Sequence, residues 1–437
     1  MVMKRYSGSL LHAGVMVVTA LCFAVLPCAP AQGQCDPIEA DKIVPFDGVN
    51  GDLFFGDSVA VDGDVAVIGA AQDDTLGADA GAVYVYHHDG SVWSYETKLT
   101  ASDGAADDLF GISVAVSGDV IIVGAQYHDE GAATAGAAYV YRLEAGGWVF
   151  EDKLTASDPT AGAWFGNSVA IDGDVATVGA WGESENGALA GAAYVFRANA
   201  GIWSEEAKLT ASDGGVVDFY GWAVAIEGDL AAVGAIGDDE VAGEAGAVYL
   251  YSYDGLVWGD EIKLTAADGA GNDQLGTSLG LAADRLLVGA WGDNSTSGSV
   301  YVFYFDDPGW SEETKLMASD GISGDGFSWS LDFDGRLAVI GADDRDDDGN
   351  SSGAAYLFRV DGAIWTEEGR LNASDAADDD HFGWSVAVSG DTVLVGAPQN
   401  DDTGESSGSA YLYAANCDIF TDGFESGDTQ RWSVTTP

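Results

Sequence analysis

The sequence predicts an all-β fold: a seven-bladed β-propeller with four-stranded blades, its ring closed by an N-terminal strand that completes the last blade. Three observations lead there. A glycine-alanine pair recurs seven times, at Gly69, Gly124, Gly179, Gly234, Gly289, Gly341 and Gly396, in steps of 55 residues with one step of 52. Each pair follows an FGxSVAV-like phrase, starting at Phe55, Phe110, Phe165, Tyr220, Leu275, Phe327 and Phe382. Each precedes a GAxYxY phrase, starting at Gly81, Gly136, Gly191, Gly246, Gly298, Gly353 and Gly408. A fixed period of this length marks one structural unit copied, whose copies bury one another's apolar faces. Finally, the two chain ends each carry part of a single unit, as a ring requires.

Each unit reads as four short strands. In the second, Ser113 to Val116 is alternating and β-branched, Ser117-Gly118-Asp119 turns the chain, and Val120 to Val123 returns it. Glycine in that turn takes the positive φ that a two-residue hairpin needs. An acidic loop leads to the third strand, Ala138 to Tyr141, and a glycine turn to the fourth, Trp148 to Thr155. No apolar pattern of helical period persists. Four strands per unit make one sheet per blade. A linear β-solenoid is the competitor, and the chain ends argue against it. The fourth strand, KLTASD in most units, recurs after units one to six at Lys98, Lys153, Lys208, Lys263, Lys315 and Arg370, and is missing after the seventh. A degenerate copy, Lys42 to Asp47, precedes the first unit and can supply the outer strand of the last blade. The basic residue of this strand reads as a guard on an exposed sheet rim, discouraging pairing with another chain. The periodic Trp93, Trp148, Trp203, Trp258, Trp310 and Trp365 read as packing residues.

Composition bounds the partners. Of 437 residues 47% are hydrophobic, enough for one large domain, and 72 acidic against 16 basic side chains give a net charge of -56. Such a surface repels phosphate backbones and anionic membranes, so nucleic acid is not an expected partner. Residues 1–31 combine Lys4 and Arg5, an apolar run and Ala29-Pro30-Ala31, the three parts of a cleaved secretory signal. That predicts a secreted, extracellular or cell-surface protein with a propeller over residues 32–417 and an acidic tail over 418–437. No later segment is apolar for long enough to span a bilayer, so no membrane insertion is expected. Cleavage leaves Cys35 and Cys417, which flank the one hairpin that has no covalent connection. A disulfide between them would replace it, favoured by an oxidising compartment and stabilising by up to roughly 5 kcal/mol in the chain-entropy model. Two unpaired thiols are the alternative.

With the FG and GA phrases in place, the chain resembles the FG-GAP repeat family, whose best-known members are the α-subunit propellers of integrins, and it is most similar to the family's bacterial secreted branch. The resemblance runs from about Lys42 to Tyr413. It implies a seven-bladed propeller used mainly for adhesion or for binding protein and carbohydrate, often with calcium in blade loops. The chain departs from the integrin pattern at one place. Where a DxDxDG calcium loop would join the first two strands, Val61-Asp62-Gly63-Asp64 and its counterparts leave no room for a cage of oxygens. The integrin calcium sites are therefore not carried over. The tail's DGFESGD, Asp422 to Asp428, resembles an ending found on various secreted bacterial proteins.

Antiparallel order within a blade assigns loops to faces. The start of strand one, the end of strand two and the loop from two to three share one face, and most nonrepeating acids and tryptophans fall on it. Trp222, Trp329 and Trp384 occupy the x of FGxS, Trp181 and Trp291 follow the GA pair, and Trp164 precedes Phe165. Because they break the repeat, these six are the candidate ligand-binding residues, flat aromatic faces near carboxylates suiting sugars or peptides. Filling space between unequal blades explains them as well. Asp344, Asp346 and Asp348 followed by Gly349 match the opening of a calcium loop and are the candidate metal ligands, although Ala355 stands where a distal acid belongs. A solvated acidic loop is the alternative. His87, His88, His128 and His381 lack metal-ligand spacing, and there is no GxSxG or phosphate-cradling loop. No catalytic residues are assigned.

The resulting expectation is a noncatalytic extracellular or surface binding and adhesion protein, recognising a protein or glycan through one acidic, tryptophan-bearing face, with calcium as the candidate cofactor. The alternatives are a secreted polysaccharide hydrolase or lyase, and a structural matrix or coat component.

Overall fold

The computed structural model describes residues 37–47, 53–282 and 284–415. Residues 1–31, expected as a signal segment, the expected Cys35–Cys417 disulfide and the acidic tail lie outside these residues. Within them, 28 strands form seven four-stranded sheets, each antiparallel throughout. The first blade shows the pattern: Phe55–Asp62, Val65–Ala70, Ala82–His88 and Trp93–Leu99, hydrogen-bonded in chain order. The last blade is assembled from both ends of the chain. Its inner strands are Ser385–Ser389, Thr392–Ala397 and Ser409–Ala414, and its outer strand is Ile38–Ile43, with Lys42 opposite Tyr411 and Ile43 opposite Ala410. The first strands of the seven blades touch one another in an unbroken circle, first to last included. A linear stack is excluded.

The core is not a single mass but seven seams, each between two neighbouring blades. Val120, Ile122, Val140 and Leu154 of the second blade pack on Phe165, Val169, Val178 and Tyr194 of the third. The closing seam has the same build, with Ile43, Leu394 and Leu412 of the last blade against Phe55, Ile68 and Tyr84 of the first. The repeated phenylalanine is explained inside the blade. Phe55 meets Tyr84 edge to face at 5.2 Å, Phe110 meets Tyr139 at 5.4 Å, and Phe382 meets Tyr411 at 5.3 Å. Each such pair contributes about 1 kcal/mol beyond burial.

The repeated glycine is explained between blades. A Cβ on Gly69 would sit 2.2 Å from the carbonyl oxygen of Gly111 in the next blade, and one on Gly396 would sit 2.0 Å from that of Gly56. The FGxS serine takes the same carbonyl: Ser58 Oγ donates to Gly111 O at 2.7 Å, Ser113 to Gly166 O at 2.8 Å, and Ser385 to Gly56 O at 2.7 Å across the closure. In the third unit Ser168 Oγ instead accepts the Val224 N–H at 3.1 Å, and Asn167 beside it donates to Trp222 O at 2.9 Å. Each seam is thus a backbone-to-backbone contact that only glycine permits. A side-chain hydrogen bond worth about 1 kcal/mol fastens it where the serine is present, whereas the fourth unit carries Ala223 at that position.

Replacing Gly124 by alanine would place a Cβ 1.9 Å from Gly166 O and 2.3 Å from Ser113 Oγ. Urea unfolding should show a loss of about 3 kcal/mol or more, the upper end for overpacking. Gly146→Ala, where nothing lies within 4 Å of the added atom, should change stability by less than about 0.5 kcal/mol. Equal effects at the two positions would contradict the seam geometry.

Candidate functional site

The two faces differ in build. One carries the tight turns between strands one and two, where Gly63, Gly118, Gly173, Gly228 and Gly390 take φ of +56 to +61 with open space around them. The other carries the long loops and the connections between blades. Between the faces runs a narrow channel of about 270 Å³ lined by the first strands of all seven blades. Its walls are valine, alanine, isoleucine and leucine, with Asp332 the one carboxylate among its lining residues. Asp332 takes the place of Ala60, Ala115, Ala170 and Ala387 of other units. Burial raises its carboxyl to about 6, held down in part by the backbone N–H groups of Val388 and Phe333, which donate to it at 2.7 and 2.8 Å.

On the loop face the strand-four lysines are not rim guards. Their side chains are largely covered, lying over the tyrosine of the third strand between carboxylates from two blades. Lys98 sits 4.8 Å from the Tyr84 ring centre and pairs with Asp47 at 2.8 Å and Asp73 at 2.7 Å. Lys263 sits over Tyr249 and pairs with Asp213 and Asp238, each at 2.7 Å, and with Glu240 at 2.8 Å. The tyrosine hydroxyl donates to the same acids, Tyr84 to Asp47 at 2.6 Å and Tyr249 to Asp213 at 2.8 Å. Burial and then these hydrogen bonds keep both phenols protonated. Burial alone would lower the Lys263 ammonium, and its carboxylates override that and raise it. Much of the acidity of this face is therefore internally paired. At the ring closure Lys42 does the same with Asp375, at 2.5 Å, and with Asp402.

The six irregular tryptophans gather into two arcs near the channel mouth, all half-buried. Trp164 and Trp181 have ring centres 4.1 Å apart, and Trp181 meets Trp222 at 5.5 Å and Phe219 at 5.4 Å. On the other side Trp291 meets Trp329 at 6.0 Å and Trp329 meets Trp384 at 5.2 Å. Trp384 also faces the Asp57 carboxyl of the first blade. Burial raises the Asp57 carboxyl to about 7, and the neighbouring Trp384 opposes that rise. The residue just before each FG phrase, Phe54, Leu109, Trp164, Phe219, Gln274 and His381, takes φ near +50 to +56, with Gly326 at +71 in the sixth unit. Repetition in every blade makes this kink architectural, a device that turns the chain into the innermost strand.

A hollow of about 730 Å³ opens on the loop face at the fifth blade, lined by Trp291, Asn272, Gln274, Asp273, Asn294, Ser295, Thr296 and Lys315 among others. A short left-handed turn, Asp293–Thr296, forms part of its wall.

The three acids of the calcium-like loop do not act together. Asp346 Oδ1 accepts the Ser351 N–H at 2.8 Å within its own loop, and Asp348 Oδ2 accepts from Asn372 at 2.5 Å. Asp344 instead converges with Asp343 and His381. The residues do not fit a calcium cage of six or more oxygens. Asp343 and His381 escaped the sequence reading because they lie in different units. Burial raises the Asp343 carboxyl, and the neighbouring carboxylate of Asp343 raises His381.

A closed ring of seven blades with glycine seams and a loop face bearing aromatic arcs defines a repeat propeller of the kind commonly used for binding. The model of the FG-GAP repeat matches residues 38–86, 93–141, 148–196, 203–251, 258–303, 310–358 and 365–413, and the chain belongs to the FG-GAP repeat family. Each matched segment starts on an outer strand and ends on the third strand of the next blade, so the first begins on the strand that closes the ring. No curated protein matches. Among solved structures the chain is similar to Sqt1 of Saccharomyces cerevisiae, at 10% identity over 87% of this chain and 100% of that one, with a TM-score of 0.47, which adds nothing to the assignment. Among the described residues no helix is long and apolar enough to cross a membrane.

Asp57 yields a pH test. A folded-state value near 7 against an ordinary 3.8 means that ionisation opposes folding. The penalty is absent below about pH 4, grows as pH rises through 4 to 7, and is constant above. Asp57→Asn, which installs the residue the third unit carries as Asn167, should stabilise the protein at pH 8 by on the order of 2 kcal/mol after allowance for partial exposure. The gain should shrink toward zero at pH 4. A gain independent of pH would contradict the assignment.

Proposed function

We infer that this protein is a noncatalytic extracellular binding protein that recognises a glycan, or a glycan-bearing protein, on its loop face. The observation that carries the reading is the hollow at the fifth blade, where one tryptophan is combined with amide, hydroxyl and carboxylate side chains. A sugar ring offers one apolar face and a rim of hydroxyls, and this lining supplies a partner for each. The neighbouring arc of Trp329 and Trp384 extends the aromatic surface toward the channel mouth. Rigid presentation is supported by the closed ring, and secretion by the signal pattern of residues 1–31. Calcium has no part in this reading, since Asp344, Asp346 and Asp348 are engaged separately.

A second reading, a polysaccharide hydrolase or lyase, draws on Asp57. A carboxylic acid raised to about 7 beside a tryptophan at a channel mouth has the property of a general acid. Turnover of a polysaccharide panel by the wild type, abolished in Asp57→Asn, would favour the enzyme.

The binding reading is tested by screening the mature chain against glycans and matrix proteins, with Trp291→Ile as the probe. The fourth unit carries Ile236 at that position, so the fold accepts the change. Affinity should fall roughly tenfold to a hundredfold, the loss typical of an aromatic anchor. Trp148→Ala, on the outer strand of the second blade, should leave it unchanged. Absence of any saturable ligand, or equal affinity of Trp291→Ile, would remove the proposal.

A further inference from the structure

Three groups of carboxylate and imidazole side chains converge among the described residues, with one ligand atom from each member within 4.8 Å of the others: Asp103, His128 and Glu130; Asp158, Glu183 and Glu185; and Asp343, Asp344 and His381. In the first two the chain supplies its own cation. Lys153 Nζ lies 2.9 Å from Asp103, 2.7 Å from His128 Nε2 and 2.5 Å from Glu130. Lys208 Nζ lies 2.6 Å from Asp158, 2.8 Å from Glu185 and 3.7 Å from Glu183.

The third group differs. Of the four arginines of its blade, Arg345 and Arg370 are drawn to Asp320, Asp325 and Asp347, Arg336 to Asp391 and Arg359 to Glu368. Among the described residues the ion pairs of Asp343 and Asp344 are with His381 alone, whose Nδ1 lies 3.6 Å from Asp343 Oδ2 and 3.7 Å from Asp344 Oδ1, both too long for a hydrogen bond. Asp343 is 3% exposed, and neither its Oδ1 nor His381 Nδ1 has a hydrogen-bond partner. Asp343 Oδ2 faces His381, while Oδ1 faces Gly326, where a Cβ would come within 3.0 Å of it and 3.2 Å of Trp291 Nε1, a buried donor that also has no partner. Other units fill the Gly326 position with larger side chains such as Phe54, Leu109 and Trp164. The unpaired Asp343 Oδ1 and His381 Nδ1 call for a partner that a carboxylate and an imidazole can share.

We propose that Asp343, Asp344 and His381 bind one divalent transition-metal ion of the zinc, manganese and cobalt class. Two carboxylates match the charge of the ion, and the imidazole selects a borderline metal over calcium, which takes six to eight oxygens. Three protein ligands leave coordination positions free for water or an oxygen of a bound molecule. The site joins the sixth blade to the chain segment entering the seventh, beside the Trp384 ring, whose centre is 6.0 Å from that of His381.

The test uses the metal alone, so its outcome is independent of glycan recognition. Calorimetry with zinc and tryptophan fluorescence with cobalt should show one saturable equivalent on the mature chain, with quenching of emission by cobalt and weaker binding of calcium. Asp343→Asn and His381→Phe should each weaken zinc binding by at least about tenfold, the scale seen even for outer-shell losses. His381→Phe places at that position the residue two other units carry as Phe54 and Phe219, so loss of fold is not expected. His128→Asn, in a lysine-filled group, should leave zinc binding unchanged. No saturable binding of zinc, manganese or cobalt would overturn the proposal. So would binding that survives both variants of the third group, or that is lost only in His128→Asn.

Discussion

The structure depends on one close approach: the glycine that ends strand two of each blade lies against the backbone of the next blade's first strand. At Gly69 and Gly396 alike, no side chain fits between the two backbones. That contact sets the spacing of the blades and so decides where each innermost strand begins. The left-handed residue just ahead of it is a consequence, because the chain must turn sharply from the outer connection into the inner strand. The side chains at and around this kink, including Trp164, Phe219 and His381, are thereby carried to the channel mouth. The seam that holds the ring together also displays the residues on which recognition and metal binding are argued.

Charge is organised by the same repeat. Each strand-four lysine or arginine is wrapped by acids from its own blade's second loop and from the preceding connection, and the tyrosine beneath adds a donor and an apolar base. Asp47, in the displaced N-terminal copy, serves Lys98 and Tyr84 as Asp103 serves Lys153 and Tyr139. The sixth blade departs from this scheme. Arg345 stands where Asp73 and Asp238 stand in other units, and the local acids rearrange around it. Asp343 and Asp344 are left without a built-in cation, which makes that blade chemically distinct on an otherwise repetitive face.

The fold was legible because its determinants are local and repeated seven times. Glycine, phenylalanine and tyrosine recur at fixed offsets, and the missing last strand with its surplus copy at Lys42 pointed to ring closure. The role of the lysines was not legible, since a residue on a terminal strand reads as exposed until the neighbouring blade's acids are placed over it. The irregular tryptophans could be picked out as breaks in the repeat, yet their division into two arcs depends on contacts between successive blades. Asp343 and His381 are far apart in sequence, and no linear spacing signals their meeting. Aligning the units does give a hint: Gly326 is the one glycine at a position otherwise filled by larger residues, and the space it leaves is where the Asp343 carboxylate points.

Everything rests on the chain closing on itself through Ile38–Ile43. The most direct measurement compares denaturant unfolding and amide exchange of residues 32–437 with those of residues 48–437, with and without a peptide of residues 37–47. Ring closure requires a lower unfolding midpoint in the shortened chain, faster exchange along Ser409–Ala414, and recovery of both when the peptide is added. An unchanged midpoint with full protection of Ser409–Ala414 in the shortened chain would contradict it.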